Sequence, residues 1–164
     1  MTLLAKRYAT AVFALATQQN AVDAVGNDLA ALHAELAVPA ARALLTSPDV
    51  NDKERAAVLD KLCAGRSQLL KNLVGVLQHR RRLDVLFDLA PAFRDLVMAS
   101  RGEVEGVVES AHPLSADDLT ALRALAGRLS GKTVQLTATT KPGLLGGVRL
   151  RIGNLLYDGS LRAA

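Results

Sequence analysis

Apolar residues recur every three or four positions over the first hundred residues, which is the period of amphipathic helices. Polar turn residues separate these stretches. The spacing predicts helices over about 2–19, 22–38 and 40–45, and longer ones that begin near 51, 67 and 83. Asn51 and Ser67 are expected to cap two of them, and Pro91 is expected to kink the last because its nitrogen donates no hydrogen bond. This part of the chain is predicted to be a bundle of about six helices.

The period changes to two after Gly102, which is typical of strands with one buried face. Strands are predicted over 104–110 and 132–139, and a hairpin of 148–152 and 155–157 turns at Gly153-Asn154. Between the first two strands, a helix capped by Ser115 and Asp118 is expected to bury a face that consists of Leu119, Leu122, Leu125, Ala126 and Leu129. The fold class is therefore α+β: a helical bundle over 1–102, then a small α+β domain with a β-hairpin over 103–164.

Gly146 and Gly147 precede the first strand of the hairpin, where they predict a bulge or a close approach of the backbone. A phosphate-binding loop is the competing interpretation. Such a loop needs a Lys and a hydroxyl residue after its last glycine, at the start of a helix. Here Val148 and Arg149 follow in strand alternation, so the sequence favours a structural role and no cofactor.

The net charge of +4 is modest and evenly spread, with 13 basic and 10 acidic residues before Gly102 and 7 and 6 after it. This mixed surface favours protein partners over a polyanion. Aromatic residues make up only 3% of the chain, which leaves little for stacking bases. Cys63 has helical apolar neighbours and is predicted to be a buried structural thiol. The three histidines are far apart in sequence and lack metal-ligand spacing, so no metal site is expected.

No apolar run has the length of a membrane-spanning helix, so no direct membrane insertion is expected. Lys6-Arg7 and the apolar residues after them have the outline of a short signal peptide. However, Leu4, Tyr8 and Leu15 fall on one helical stripe. We interpret this segment as an amphipathic helix of the mature protein, and the chain is expected to be cytoplasmic.

The fifth predicted helix has more apolar positions than one narrow stripe needs: Leu69, Leu70, Leu73, Val74, Val76 and Leu77. Tyr8, Ala11 and Val12 raise the same question in the first helix. From the residues alone, ordinary bundle core is the more common explanation, and a face for a partner is the alternative.

Several motifs, in this order and spacing, resemble the delta subunit of the bacterial rotary ATP synthase, which is related to the mitochondrial oligomycin-sensitivity-conferring protein. They are Ala5-Lys6-Arg7-Tyr8-Ala9, Asn72-Leu73-Val74 with Arg82-Leu83, VESAHPL over 108–114, Gly131-Lys132-Thr133-Val134-Gln135-Leu136, Leu144-Leu145-Gly146-Gly147, Ile152-Gly153 and Asp158-Gly159-Ser160. The resemblance covers essentially the whole chain. Lys141 and Pro91 depart from the usual pattern of the family.

The resemblance implies a non-catalytic stator subunit, peripheral at the cytoplasmic face of the bacterial inner membrane and a single copy in a hetero-oligomeric complex. The helical domain would receive the N-terminal helix of an alpha subunit of the catalytic head in a groove between its first and fifth helices. The implied groove residues are Tyr8, Ala11, Val12, Leu73, Val76 and Leu77. The second domain would hold b-type subunits of the peripheral stalk near Gly146, Gly147, Arg149 and Arg151.

Two alternatives from other classes remain open. A small nucleic-acid-binding protein would use Arg80, Arg81 and Arg82, although three basic residues between helices are usually a solvated turn. A small enzyme would bind phosphate at the glycine-rich hairpin. Arg149 and Arg151, on one face of the hairpin strand, have a plain structural explanation as exposed charges that protect a sheet edge.

Overall fold

The structure is a computed structural model that describes residues 2–159, so Ser160 and the end of the second predicted domain lie outside the described residues. The chain divides into two compact units between Val97 and Met98. In order, the elements are α1 (Leu3–Gln18), α2 (Val22–Leu36), α3 (Pro39–Thr46), α4 (Asp52–Leu62), α5 (Gln68–His79), a 3₁₀ turn (Leu83–Val85), α6 (Leu86–Ser100), β1 (Glu103–Ser110), α7 (Ala116–Ser130), β2 (Thr133–Thr140), β3 (Val148–Ile152) and β4 (Leu155–Asp158). The α+β class is confirmed.

Local signals explain most helix ends. The side chains of Thr2 and Asn51 accept backbone N–H groups three residues ahead and cap α1 and α4. Asn20 and Arg81 follow the C-caps of α1 and α5 with φ of 52° and 53°, and the next N–H donates back to the carbonyl of Ala16 or Leu77. This bonding is the Schellman pattern, in which a left-handed residue ends the helix.

Three helix predictions need correction. The second helix ends at Leu36 and not near 38, because Val38 precedes Pro39 and takes an extended ψ of 123°. The last long helix begins as a 3₁₀ turn, and its α-helical part starts at Leu86. Ser67 occupies the N-cap position of α5, but its hydroxyl makes no capping hydrogen bond.

The carboxylate of Asp28, on α2, takes over that capping function. Its Oδ2 accepts the backbone N–H of Ser67 at 2.7 Å. The neighbouring Arg66 is nearly buried, donates to the carbonyl of Asp28 at 2.7 Å and pairs with Glu35 at 2.7 Å. These contacts fasten the turn between α4 and α5 to α2, and they join residues too distant in sequence for any local motif to show.

One apolar cluster holds the helical unit together. Its fully buried members include Leu32, Leu70, Leu77, Leu89 and Phe93. Phe93 meets Phe13 edge to face, with ring centroids 5.8 Å apart. Helix α1 packs against α2 and α5, and α2 also packs against α3 and α5. Cys63 is buried in the same cluster, as predicted, and burial raises the pKa of its thiol.

The α+β unit is a four-stranded sheet in the order β2-β1-β3-β4, with α7 over one face. Strand β1 pairs with β2 in parallel and with β3 antiparallel. Ser115 and Asp118 form a complete capping box at the start of α7, as predicted. Leu125 and Leu129 were expected inside but are 40% and 45% exposed, since the sheet covers only the helix face that holds Ala126.

The hairpin forms where predicted. Gly153 has φ of 55° and Asn154 does not have positive φ, which fits a type II′ turn with glycine first. Gly153 N–H also donates to the carbonyl of Glu105 on β1, at 3.0 Å. In residues 2–159, no single helix is long and apolar enough to cross a membrane; α2 and α3 pass that test only as a pair bent by 94°.

Candidate functional site

Helices α1 and α5 lie against each other, so the six predicted groove residues come from packed elements. The structure divides them into two groups. Val12, Leu73 and Leu77 are buried in the bundle core, Tyr8 is half-buried against it, and Ala11 and Val76 are exposed. Val76 is 47% exposed, although α5 packs against α1 and α2.

Further exposed or half-buried apolar residues lie near Tyr8, Ala11 and Val76 along the two helices. On α1, Tyr8, Ala11 and Leu15 follow the three-and-four spacing of one helix face, and on α5 Leu69 and Val76 lie two turns apart. We call these five residues the α1/α5 surface. The sequence prediction missed Leu15 and Leu69 as part of it, although the helical stripes that contain them were the available signal.

The opposite flank of α5 belongs to a different depression. Gly75, Gln78 and His79 line an open, polar cleft of about 1180 Å³ together with the loop between α3 and α4. Arg55 in that cleft is held by the carbonyls of Ser47 and Val50, at 2.7 and 3.0 Å. Its charge is committed to the loop.

A smaller cleft of about 410 Å³ lies between α2 and α6. Its walls are largely apolar, with Val22, Ala30, Phe93 and Val97 among them. A Cβ at Gly26 would lie 3.6 Å from the Phe93 ring, which is an ordinary contact, so the cleft has room for a small side chain there. Pro91 lines the same cleft from inside α6.

In the α+β unit, the sheet face away from α7 carries the charged residues. Arg149 pairs with Glu109 at 3.3 Å and with Asp158 at 3.2 Å, and Lys141 pairs with Glu109 at 2.5 Å. The hydrogen bond from Lys141 and the charge of Arg149 hold the pKa of Glu109 below its usual range. Lys141, a departure from the family pattern, thus has a structural role here.

Arg151 lies on the same face but outside that network. It lines a small hollow of about 80 Å³ with Val107, Leu156, Glu109 and Arg149. Strand β3 lies between β1 and β4, so its two arginines do not protect a sheet edge, contrary to that sequence interpretation. Gly147 has φ of 76° just before β3, which is the strained backbone that glycine accommodates, and a strand follows it where a phosphate loop would need a helix.

Reactive chemistry is not assembled in the part of the chain the structure describes. No group of three His, Cys, Asp or Glu residues there could hold a metal ion. Ser110 is buried, but its hydroxyl donates to the carbonyl of His112 at 2.6 Å, which closes the end of β1. The features available for binding are an apolar surface on the helical unit and a charged face on the sheet.

Comparisons with known proteins agree with one another. The family described as "ATP synthase delta (OSCP) subunit" matches residues 4–164. ATP synthase subunit delta of Erythrobacter litoralis is 40% identical over 162 residues, which are 97% of this chain and 88% of that protein. The delta subunit of Geobacillus sp. (strain WCH70) is 35% identical, with 97% of this chain and 90% of that protein covered.

A solved structure is similar over nearly its whole length. A chain in the cryo-EM structure of the Toxoplasma gondii mitochondrial ATP synthase hexamer superposes with a TM-score of 0.72 and 26% identity. The match covers 98% of this chain and 92% of that one.

Proposed function

Because the chain belongs to the ATP synthase delta (OSCP) subunit family, it is a peripheral-stalk subunit of ATP synthase, and we propose that it joins the alpha subunit to b-type stalk subunits. In this role it keeps the catalytic head from turning with the rotor during ATP synthesis. It acts through binding and is not itself an enzyme. Its place is peripheral, at the cytoplasmic face of the bacterial inner membrane, and it reaches the membrane only through the complex.

The α1/α5 surface carries the proposal for the alpha subunit. Val76 on α5 and Leu15 on α1 are each 47% exposed, and Tyr8 on the Leu15 face of α1 is half-buried. Ala11 adds a small side chain that lets another helix approach closely. An amphipathic helix laid into such an apolar surface is a common mode of recognition and needs no reactive group.

The open face of the sheet is the proposed contact for b-type subunits. Arg151, Val107 and Leu156 offer a cation between two apolar side chains. Arg149 holds β1, β3 and β4 together on this face through its ion pairs with Glu109 and Asp158. Gly146 and Gly147 allow the backbone conformation that leads into β3.

The test is calorimetric titration of the chain with a peptide that spans the N-terminal segment of the alpha subunit from the same organism. Ala11→Asp and Val76→Asp should each weaken binding at least about tenfold, because a carboxylate would lose water in an apolar contact. Ala57→Asp on α4 and Val38→Asp before α3 are matched controls at exposed sites elsewhere.

Circular dichroism should show all four variants folded. Undiminished binding by folded Ala11→Asp and Val76→Asp would rule out the α1/α5 surface. Equal losses in the two controls would do the same, since the effect would then be general.

The nucleic-acid-binding alternative has no support in the comparisons. Phe13, Phe87 and Phe93 pack with the helical core, so they do not form an exposed platform for bases. Arg80, Arg81 and Arg82 form the exposed turn after α5, as the structural interpretation expected.

A further inference from the structure

The two helices of the α1/α5 surface contain no acidic residue. Lys6 and Arg7 lie in α1 and Lys71 lies in α5, and three arginines follow in the turn at 80–82. Those six cations exceed the net charge of +4 for the whole chain. The remaining fourteen Lys and Arg residues face all sixteen acids, so the rest of the chain is net negative by two. Positive charge is therefore locally concentrated on α1, α5 and the turn that follows α5, although the two parts of the chain have similar net charge.

Two of the six cations border the apolar surface itself. Arg7 lies one helical turn before Ala11, and Arg80 lies one turn after Val76, so each shares a flank with an exposed residue of the surface. Both residues are exposed. Within residues 2–159, neither guanidinium forms an ion pair.

The two other cations within the helices lie on other flanks, and the first two acids after the turn at 80–82 have neighbours of their own. Lys6 is one turn from Thr10 and Lys71 is one turn from Gly75, on flanks away from the surface. Asp88 accepts the N–H of Thr2 at the start of α1, at 2.7 Å. Asp84 lines the polar cleft with Arg81. The margins of the surface are therefore basic on both helices.

Building on the proposed function, we propose that the α1/α5 surface selects a helix whose apolar stripe is bordered by acidic residues, and rejects one bordered by basic residues. The apolar residues supply affinity to either helix. Arg7 and Arg80 supply the discrimination, because opposite charges at the rim of an interface attract and like charges repel.

Three designed helical peptides test this with the full chain. They share one leucine stripe and differ only at the bordering positions, which are all Glu, all Gln or all Lys. Calorimetry at low ionic strength should rank the affinities Glu over Gln over Lys, with about three- to tenfold between steps. The differences should nearly vanish at about 0.5 M salt, where charges are screened within a few ångströms.

Charge reversals locate the effect. Arg7→Glu with Arg80→Glu should reverse the ranking, whereas Lys6→Glu with Lys71→Glu, which changes net charge by the same amount, should preserve it. Equal affinities for the three peptides, or the same response in both double variants, would overturn the proposed charge selectivity. The α1/α5 surface would then still bind a helix through its apolar residues. If no peptide binds the folded chain even in high salt, the α1/α5 surface does not bind a helix, and the proposed contact with the alpha subunit fails with it.

Discussion

The α1/α5 surface of the helical unit and the open sheet face of the α+β unit differ in how far their charges are paired. On the open sheet face, Arg149, Glu109, Asp158 and Lys141 neutralise one another through ion pairs. On the helical unit, Arg7 forms no ion pair among the described residues and lies beside exposed apolar side chains. A partner of the sheet face meets four mutually neutralised charges and one further cation, Arg151. A partner of the α1/α5 surface meets exposed apolar side chains bordered by Arg7 and Arg80, so that surface leaves more of its charge available for binding.

The two units also differ in what stabilises them. A substitution in the packed core of the helical unit should have the largest effect on the free energy of unfolding. Leu89 is fully buried in the helical unit, so Leu89→Ala should lower the free energy of unfolding by about 2–5 kcal/mol. Leu3→Ala, at a residue that is 75% exposed, should change it by less than about 0.5 kcal/mol. Denaturant unfolding followed by circular dichroism measures both. A small loss for Leu89→Ala would show that this core is loosely packed.

In the sheet, Gly106 has neighbours too close to allow a side chain. A Cβ on Gly106 would lie 2.7 Å from Cγ1 of Val134 and 3.3 Å from the carbonyl oxygen of Arg151. Gly106→Ala should therefore destabilise the protein by about 1–3 kcal/mol. Gly75 in α5 has open space around it, so Gly75→Ala should stabilise by about 0.5–1 kcal/mol. Thermal unfolding that shows the same sign for both variants would contradict this difference.

The two serine N-caps sharpen the comparison at a smaller scale. The Ser115 hydroxyl accepts the N–H of Asp118 at 3.1 Å, so Ser115→Ala should cost about 1 kcal/mol. Among residues 2–159 the buried Ser67 hydroxyl has no hydrogen-bond partner, and Ser67→Ala should change stability by less than about 0.5 kcal/mol. Equal losses in urea unfolding would mean that Ser67 caps α5 after all.

These two caps show how far local sequence reaches. Ser115 and Asp118 are three residues apart, and their capping box was predictable from spacing alone. At Ser67 the same reasoning failed, because the carboxylate that meets its N–H belongs to Asp28, on another helix. A local pattern identifies the position of a cap but not a distant side chain that replaces it.

The candidate surface shows a similar limit. Periodicity in α1 and α5 indicated surplus apolar residues, yet it could not separate Val76, which is exposed, from Leu77, which is fully buried. That separation depends on where neighbouring helices pack. In α7 the error was the opposite one: Leu125 and Leu129 fit a buried stripe by spacing, but the sheet covers a narrower band of the helix than that stripe spans.

The smallest effect should come from the ion pairs, and it should depend on pH. Folding lowers the pKa of the Glu109 carboxyl, so its ionised form stabilises the folded state. This stabilisation is fully present above about pH 4.3, the pKa of Glu in an unfolded chain, and is lost as the pH falls through the lower pKa of the folded state. Glu109→Gln should be slightly less stable than the parent at neutral pH and equal to it in strong acid. A difference in stability that stays constant across this range would show that the pairs contribute nothing.

The position of β1 has a mechanical consequence for a subunit that carries load. All eight of its residues pair with β2, and five also pair with β3. A force along β1 would shear all of these strand pairs at once, so their hydrogen bonds would have to break together. A pull that peels β4 away opens its four pairs with β3 one after another. The sheet is therefore stiff in one direction and easily unzipped in another, and the point of attachment decides how much force it can transmit.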